Sequence, residues 1–228
     1  MKSEYWRTAL DDEAMQDEHA FLWRAMLETI DMDLNGLRVL DAGCNRGGFL
    51  RLLADTRGIA AGFGYDPASG AIADARRLAG DRPLTFETGS TVPAGWQGFD
   101  AAFSHEVLYL IGDLAGHADA VFEALAPGRP YFAVIGAHAQ SRLMAGWHAA
   151  NADDLGLPPL RDLDEMVDVF ELAGFDAHVA RLRLRFVPVS AHRTRHADRG
   201  GLIDWLDYYT DEKLLFRFTR PPQASHTG

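Results

Sequence analysis

Cysteine is almost missing: Cys44 is the single one in 228 residues. An internal disulfide framework is therefore excluded, and a reducing, cytoplasmic setting is expected. Long hydrophobic runs are missing as well. The apolar stretch Tyr131–Ala137 falls far short of the ~20 residues a membrane-spanning helix needs, so no membrane partner is expected. The N-terminal MKSEYWRTALDDEA is polar and acidic and holds no signal-peptide core. Basic charge is scarce, with 22 Lys and Arg against 33 Asp and Glu and a formal net charge of −11. Nucleic-acid binding needs a basic footprint, so the expected partner is a small molecule, and the chain is expected to be a monomer or homodimer. Metal-ligand clusters are also wanting. His192 and His196 have H-x-x-x-H spacing, but AHRTRHADR has no apolar helical face and no third ligand, so no metal is expected.

What is present is ordinary globular composition, 47% hydrophobic and 24% charged, in a chain long enough for one well-buried α/β domain. Asp11–Ile30 places Met15, Leu22, Met26 and Ile30 at helical spacing. Short apolar strands are then expected at Leu37–Leu40, Ala60–Tyr65, Leu84–Glu87, Asp100–Ser104 and Tyr131–Gly136. Helices are expected at Gly48–Asp55, Ser69–Leu78 and Asp119–Leu125. The alternation predicts a parallel, doubly wound sheet.

The last third breaks this rhythm. Ala139–Leu160 reads as a long connection and Asp162–Ala173 as a helix stopped by Gly174. Ala177–Val187 and Lys213–Thr219 read as strands with no crossover helix between them, which predicts a terminal antiparallel pair. The expected divisions are an N-terminal helical segment at 1–35, one ligand-binding domain at 36–220 and a flexible tail at 221–228. Insertions at 139–161 and 190–211 are expected to cover the site.

The chemistry concentrates in VLDAGCNRGGFLRLLA, residues 39–54. Strand, glycine turn and helix in that order make a nucleotide site. Asn45 stands where a third glycine would be expected. The middle of such a turn needs a positive φ, and Asn is the non-glycine residue that tolerates the left-handed region best.

With GYDP (64–67), FETGSTVP (86–93), FDAAFSHEVLYLIGD (99–113), LAPGRPYFAVIGA (125–137) and the final KLLFRFTRP, the chain resembles the class I S-adenosylmethionine-dependent methyltransferases. The resemblance covers nearly everything beyond the N-terminal helix. It implies an α/β fold, a doubly wound, mostly parallel seven-stranded sheet with helices on both faces and a terminal antiparallel strand pair. It implies S-adenosyl-L-methionine as cofactor, S-adenosyl-L-homocysteine as product, and methyl transfer to an O, N or C atom of a small molecule. A protein methyltransferase and a non-catalytic S-adenosylmethionine-binding subunit are the alternatives. A dinucleotide-binding turn is the rival for the motif itself, since Gly43, Asn45 and Gly48 fit G-x-G-x-x-G with one substitution. Asp41 argues against it, because a carboxylate there would repel a pyrophosphate and welcome an ammonium or sulfonium. SHEV after the fourth strand, in place of an (N/D)-P-P-(Y/F) segment, argues against amino-methylation of nucleobases.

The same resemblance assigns roles. Asp41 would face the methionine amino group, Gly43 and Gly47 would let the backbone approach the cofactor, and Cys44 and Asn45 would lie beside it. Asp66, followed by Pro67, would accept hydrogen bonds from the ribose hydroxyls. Ser90 and Thr91 would meet the adenine edge, and Ser104 and His105 the methionine portion. For a general base His105 is named first and His138 second. Glu106 and Tyr109 lie on the same segment as His105, where a helix would put His105 and Tyr109 on one face. Cys44 is expected to be packed and inert. Arg181, Arg183 and Arg185 alternate with Leu182, Leu184 and Phe186, the pattern of a solvated edge strand. The sharper reading is anion capture, helped by Arg193 and Arg195. Trp147, His148, Trp205, Tyr208 and Tyr209, with Tyr5 and Trp6, are aromatic-wall candidates or packed residues.

Overall fold

The first strand, β1 (Arg38–Ala42), is buried on both sides, as its run RVLDA requires. It pairs in parallel with β2 (Ala61–Asp66) on one side and β4 (Ala101–His105) on the other. The structure is a computed structural model that describes residues 9–184, 186, 187, 189 and 200–223. Outward from β2 lies β3 (Leu84–Thr88), and outward from β4 lies β5 (Pro130–Ile135), both parallel. Next come β7 (Leu214–Thr219) and, at the edge, β6 (Asp176–Arg181), each paired antiparallel. The seven-stranded order is β3-β2-β1-β4-β5-β7-β6. The order reverses between β1 and β4, and the crevice beyond the carboxyl ends of such strands is where open α/β sheets bind ligands.

One face of the sheet is covered by α1 (Ala9–Thr29), α2 (Gly48–Arg57) and α3 (Ser69–Ala79), through Leu22, Met26, Leu50, Leu53 and Ile72. The other carries α4 (Leu114–Ala124) and α6 (Leu163–Leu172), through Ala118, Val121 and Phe170. These apolar side chains face the sheet, the general solution for an amphipathic helix packed on one. Asp113 caps α4 by accepting from the Gly116 N–H at 2.9 Å, so that helix begins earlier than the expected Asp119.

Three expectations in the last third need correction. The connection Ala139–Leu160 contains a helix, α5 (Arg142–Leu155), capped by Ser141 and ended by a left-handed Gly156. A short helix, α7 (Leu202–Asp207), and a π-helical turn at Tyr208–Glu212 lie between the last two strands. The strand expected over Ala177–Val187 stops at Arg181. It is an edge strand, and Arg181 pairs with Asp211 at 3.1 Å on its exposed side. Arg185, Arg193, Arg195, His192, His196, Tyr5 and Trp6 lie outside the described residues. Among the described residues no helix is long and apolar enough to cross a membrane.

Candidate functional site

The turn after β1 is built by backbone geometry. Gly43 and Gly47 have φ of 73° and 69°, and Asn45 has φ of 47°, in the left-handed region. The glycines serve the protein's own packing as well as any ligand. A Cβ on Gly43 would lie 2.6 Å from Val107 Cγ2, and one on Gly47 would lie 2.5 Å from Phe86 Cζ. The Gly43 and Cys44 N–H groups donate to the Tyr65 carbonyl, and Gly47 N–H donates to Cys44 O. Cys44 is buried with Sγ over Gly64, where a Cβ would come within 2.7 Å. Burial, Asp41 and Asp66 push its thiol pKa up, which keeps it protonated and inert.

Asp66 ends β2 and closes the turn from the other side. Its Oδ2 accepts from the Asn45 N–H at 3.0 Å and its Oδ1 from the Ala68 N–H at 2.9 Å. These two backbone donors fix the orientation of its carboxylate. Pro67 is half-buried beside it. Asp41 is buried, and its Oδ2 has no hydrogen-bond partner. Burial and then the charge of Asp66 raise its pKa well above the carboxylate norm. Two carboxylates close together raise the cost of ionising either one. The arrangement suits a ligand that brings an ammonium to Asp41 and hydroxyls to Asp66.

Further orphaned atoms gather at the same end of the sheet. His105 closes β4, and both of its ring nitrogens are buried without a hydrogen-bond partner. Burial, and then the charges of His19 and Lys213, lower its pKa well below 6.5. Just past β5, His138 donates Nε2–H to the Glu212 carbonyl at 2.8 Å, which leaves a buried, unpartnered Nδ1 acceptor. Asp41, His105 and His138 thus stand at the carboxyl ends of β1, β4 and β5, which are neighbours in the sheet. Buried polar groups without partners are rare and call for an explanation; a bound ligand would be one.

Two residues near the site were not foreseen. Lys213 is buried, donates to Glu106 Oε1 and lies 4.9 Å from the centre of the Tyr208 ring. Glu106 Oε2 accepts from the Gly136 N–H at 3.2 Å, and the residue has φ of 58°. His19, on α1, meets the His105 ring edge-on with centroids 4.9 Å apart.

Other assignments separate from this group. Ser104 points its hydroxyl into the opposite core, where it accepts from Tyr131 OH at 2.6 Å. That hydrogen bond belongs to a buried chain through His117 Nε2 (3.1 Å) to Tyr65 OH on His117 Nδ1 (3.5 Å). Ser90 and Thr91 are exposed in the loop after β3. His105 and Tyr109 do not share a helix face, because His105 is in β4 and only Leu108–Leu110 is helical, as a 3-10 turn. Tyr109 instead packs against Trp147, ring centroids 6.4 Å apart. His148 Nε2 donates to the Pro158 carbonyl at 2.7 Å. Trp205, Tyr208 and Tyr209 are buried against one another, with Phe21 on Tyr209, so they pack the domain.

Comparison with known proteins finds the same fold. The family model described as "Methyltransferase domain" matches residues 6–179. The complex of the Haloferax volcanii Trm112 methyltransferase activator with a methyltransferase aligns over 93% of this chain and 95% of that one, with TM-score 0.80 and 21% identity. An S-adenosylmethionine-dependent methyltransferase from Mesorhizobium loti aligns over 90% and 100%, with TM-score 0.66 and 22% identity. Phosphoethanolamine N-methyltransferase 2 of Haemonchus contortus, solved with S-adenosyl-L-methionine, aligns over 95% and 59%, with TM-score 0.66 and 18% identity. No curated protein sequence matches the chain.

Proposed function

The chain belongs to the class I S-adenosylmethionine-dependent methyltransferases, and from that premise we propose that it methylates a small-molecule acceptor held over the carboxyl ends of β4 and β5. The cofactor, when bound, supplies an electrophilic methyl group on a sulfonium, a good leaving group. Asp41 would receive the ammonium of its methionine portion and Asp66 the ribose hydroxyls, while the Gly43–Gly47 turn would give the backbone its close approach. Asn45 holds the middle of that turn in the left-handed conformation.

The chain's own residues then have two tasks, to align the acceptor and to exclude water. α1 covers His105 through His19 and Trp23, with ring centroids 4.9 and 6.4 Å from it. His105 is held neutral by burial, so it offers an unprotonated nitrogen to an acceptor O–H or N–H. His138 Nδ1 is the second acceptor nitrogen. Glu106 is committed to Lys213 and the Gly136 N–H and acts as a support for the strand ends. Tyr109 forms a wall with Trp147.

The observation that carries the small-molecule reading is a groove of about 570 Å³ between α5 and α7, lined by Leu143, Gly146, Trp147, Asn151, Asp204 and Glu212. That volume falls in the range of metabolite-sized pockets. Glu212 ties the groove to the end of β5, its carbonyl on His138 and its carboxylate on Ser141 Oγ at 2.8 Å. The test is incubation with methyl-labelled S-adenosylmethionine and a fractionated metabolite extract. Label in a small-molecule fraction supports the reading; label confined to protein overturns it.

A methyltransferase that works only with a protein activator is the second reading, favoured by the Haloferax volcanii neighbour having been solved with one. Turnover by the isolated chain argues against it.

A further inference from the structure

We propose that the acceptor is an organic amine, a cation with an apolar body, held in the groove between α5 and α7. The inference rests on the small-molecule reading and names the class of molecule. α5 lines the groove with Leu143, Gly146, Trp147 and Ala150, the i, i+3, i+4, i+7 spacing of a single helix face. Such a stripe is ordinarily turned into a core, yet α5 buries none of its residues completely. From Leu143 to Ala150 the stripe runs about 10 Å, at 1.5 Å per residue. It adjoins the catalytic end of the sheet at two points. Trp147 packs on Tyr109, and the Glu212 carbonyl takes the N–H of His138.

The polar lining is short of positive charge. Arg142 is the one cation among the lining residues, and it is shared by Glu212 at 3.1 Å and Asp207 at 3.4 Å. With Asp204, three carboxylates on and beside the groove face one guanidinium. Asp204 Oδ2 accepts from the Gly201 N–H at 2.7 Å, which leaves Oδ1 for a ligand. Asn151 donates its Nδ2–H to the Trp147 carbonyl at 2.7 Å, so its amide oxygen is a further acceptor on the wall. A cleft lined by one sign of charge concentrates ligands of the other. An ammonium brings three donors and no acceptor, which matches this lining, and Trp147 adds a ring face that attracts cations. An acceptor bearing a carboxylate or phosphate would meet the excess carboxylates instead.

The test is a 15N–1H NMR titration of the full chain, saturated with S-adenosylhomocysteine, against three matched probes. These are the cation 2-phenylethylamine, the neutral 2-phenylethanol and the anion 3-phenylpropanoate. The amine should shift the Trp147 indole and Asn151 side-chain signals and bind about tenfold tighter than the alcohol, the worth of one charge-assisted hydrogen bond. Asp204→Asn keeps an oxygen for the Gly201 N–H and removes the charge, so it should erase most of that preference. Equal affinity for amine and alcohol, tighter binding of the acid, or amine shifts that bypass Trp147 and Asn151 would overturn the proposal. The parent reading is separated by passing the labelled products of the metabolite-extract experiment over a cation exchanger at pH 7. Retained small-molecule label supports the amine class. Small-molecule label in the flow-through overturns the amine class alone, and label confined to protein overturns both readings.

Discussion

Glu106 and Lys213, 107 residues apart in sequence, meet as an ion pair in which the Lys213 side chain is 3% exposed and that of Glu106 12%. The pair joins the end of β4 to the start of β7. Breaking a buried pair from one side leaves an uncompensated charge, which costs about 3–5 kcal/mol. Lys213→Met should lose stability on that scale in urea unfolding, and Glu106→Gln combined with Lys213→Met should recover most of it. A single variant within 1 kcal/mol of wild type, roughly the worth of an exposed pair, would contradict the structural role.

His117 predicts an acid limit on stability. Burial lowers its pKa from 6.5 to about 4, and it is held between Tyr131 and Tyr65. Above pH 6.5 the ring is neutral in folded and unfolded chains alike, so it adds no pH dependence. Below that, the unfolded chain takes up a proton that the folded chain refuses, and stability falls as pH drops toward 4. The loss should reach roughly 3 kcal/mol, at 1.36 kcal/mol per pKa unit. His117→Phe should flatten this slope in unfolding curves taken between pH 4 and 7; an unchanged slope would assign the acid sensitivity elsewhere.

Asp41 should set binding against stability. Its raised pKa means that the folded chain holds a proton where the unfolded chain has lost it. Stability therefore falls as pH rises from the ordinary carboxylate pKa to the raised one, and the full cost is present above it. Asp41→Asn should stabilise the ligand-free protein at pH 7 by about 1–3 kcal/mol and weaken S-adenosylmethionine binding. Thermal unfolding and calorimetry on the same variant check both halves, and a lower melting temperature with unchanged affinity would refute them.

Asn45 has a backbone role at φ of 47°. Asn45→Gly should retain cofactor binding and Asn45→Val should lose it, since a β-branched residue is a true outlier in the left-handed region. If Asn45→Gly folds yet fails to bind, the side chain itself contacts the ligand.

The doubly wound sheet with its antiparallel end pair, the glycine turn and the left-handed Asn45 were legible because each is encoded in short runs of residues. β1 with its turn occupies ten residues, and the period of apolar positions marks each helix on the sheet. α5 was read as a connection because it buries none of its residues completely, so no apolar stripe betrays it. The Glu106–Lys213 pair and the His19–His105 contact join residues far apart in sequence, and nothing local signals them. The direction of the Ser104 side chain was hidden for a different reason. Alternation along β4 sends its side chain to the face opposite Phe103 and His105, and the motif position alone does not reveal that. His105 and Tyr109 do not share a face because the segment after β4 forms one 3-10 turn, too short to set residues four apart on a common side.

Titration calorimetry of wild type and Asp66→Ala tests the central claim most directly. The wild type should bind S-adenosylmethionine and S-adenosylhomocysteine and should not bind NAD. Asp66→Ala, with its fold verified by circular dichroism, should lose about 1.5–3 kcal/mol of that binding, the worth of charge-assisted hydrogen bonds to the ribose. NAD binding by the wild type, or full S-adenosylmethionine affinity in Asp66→Ala, would contradict the account.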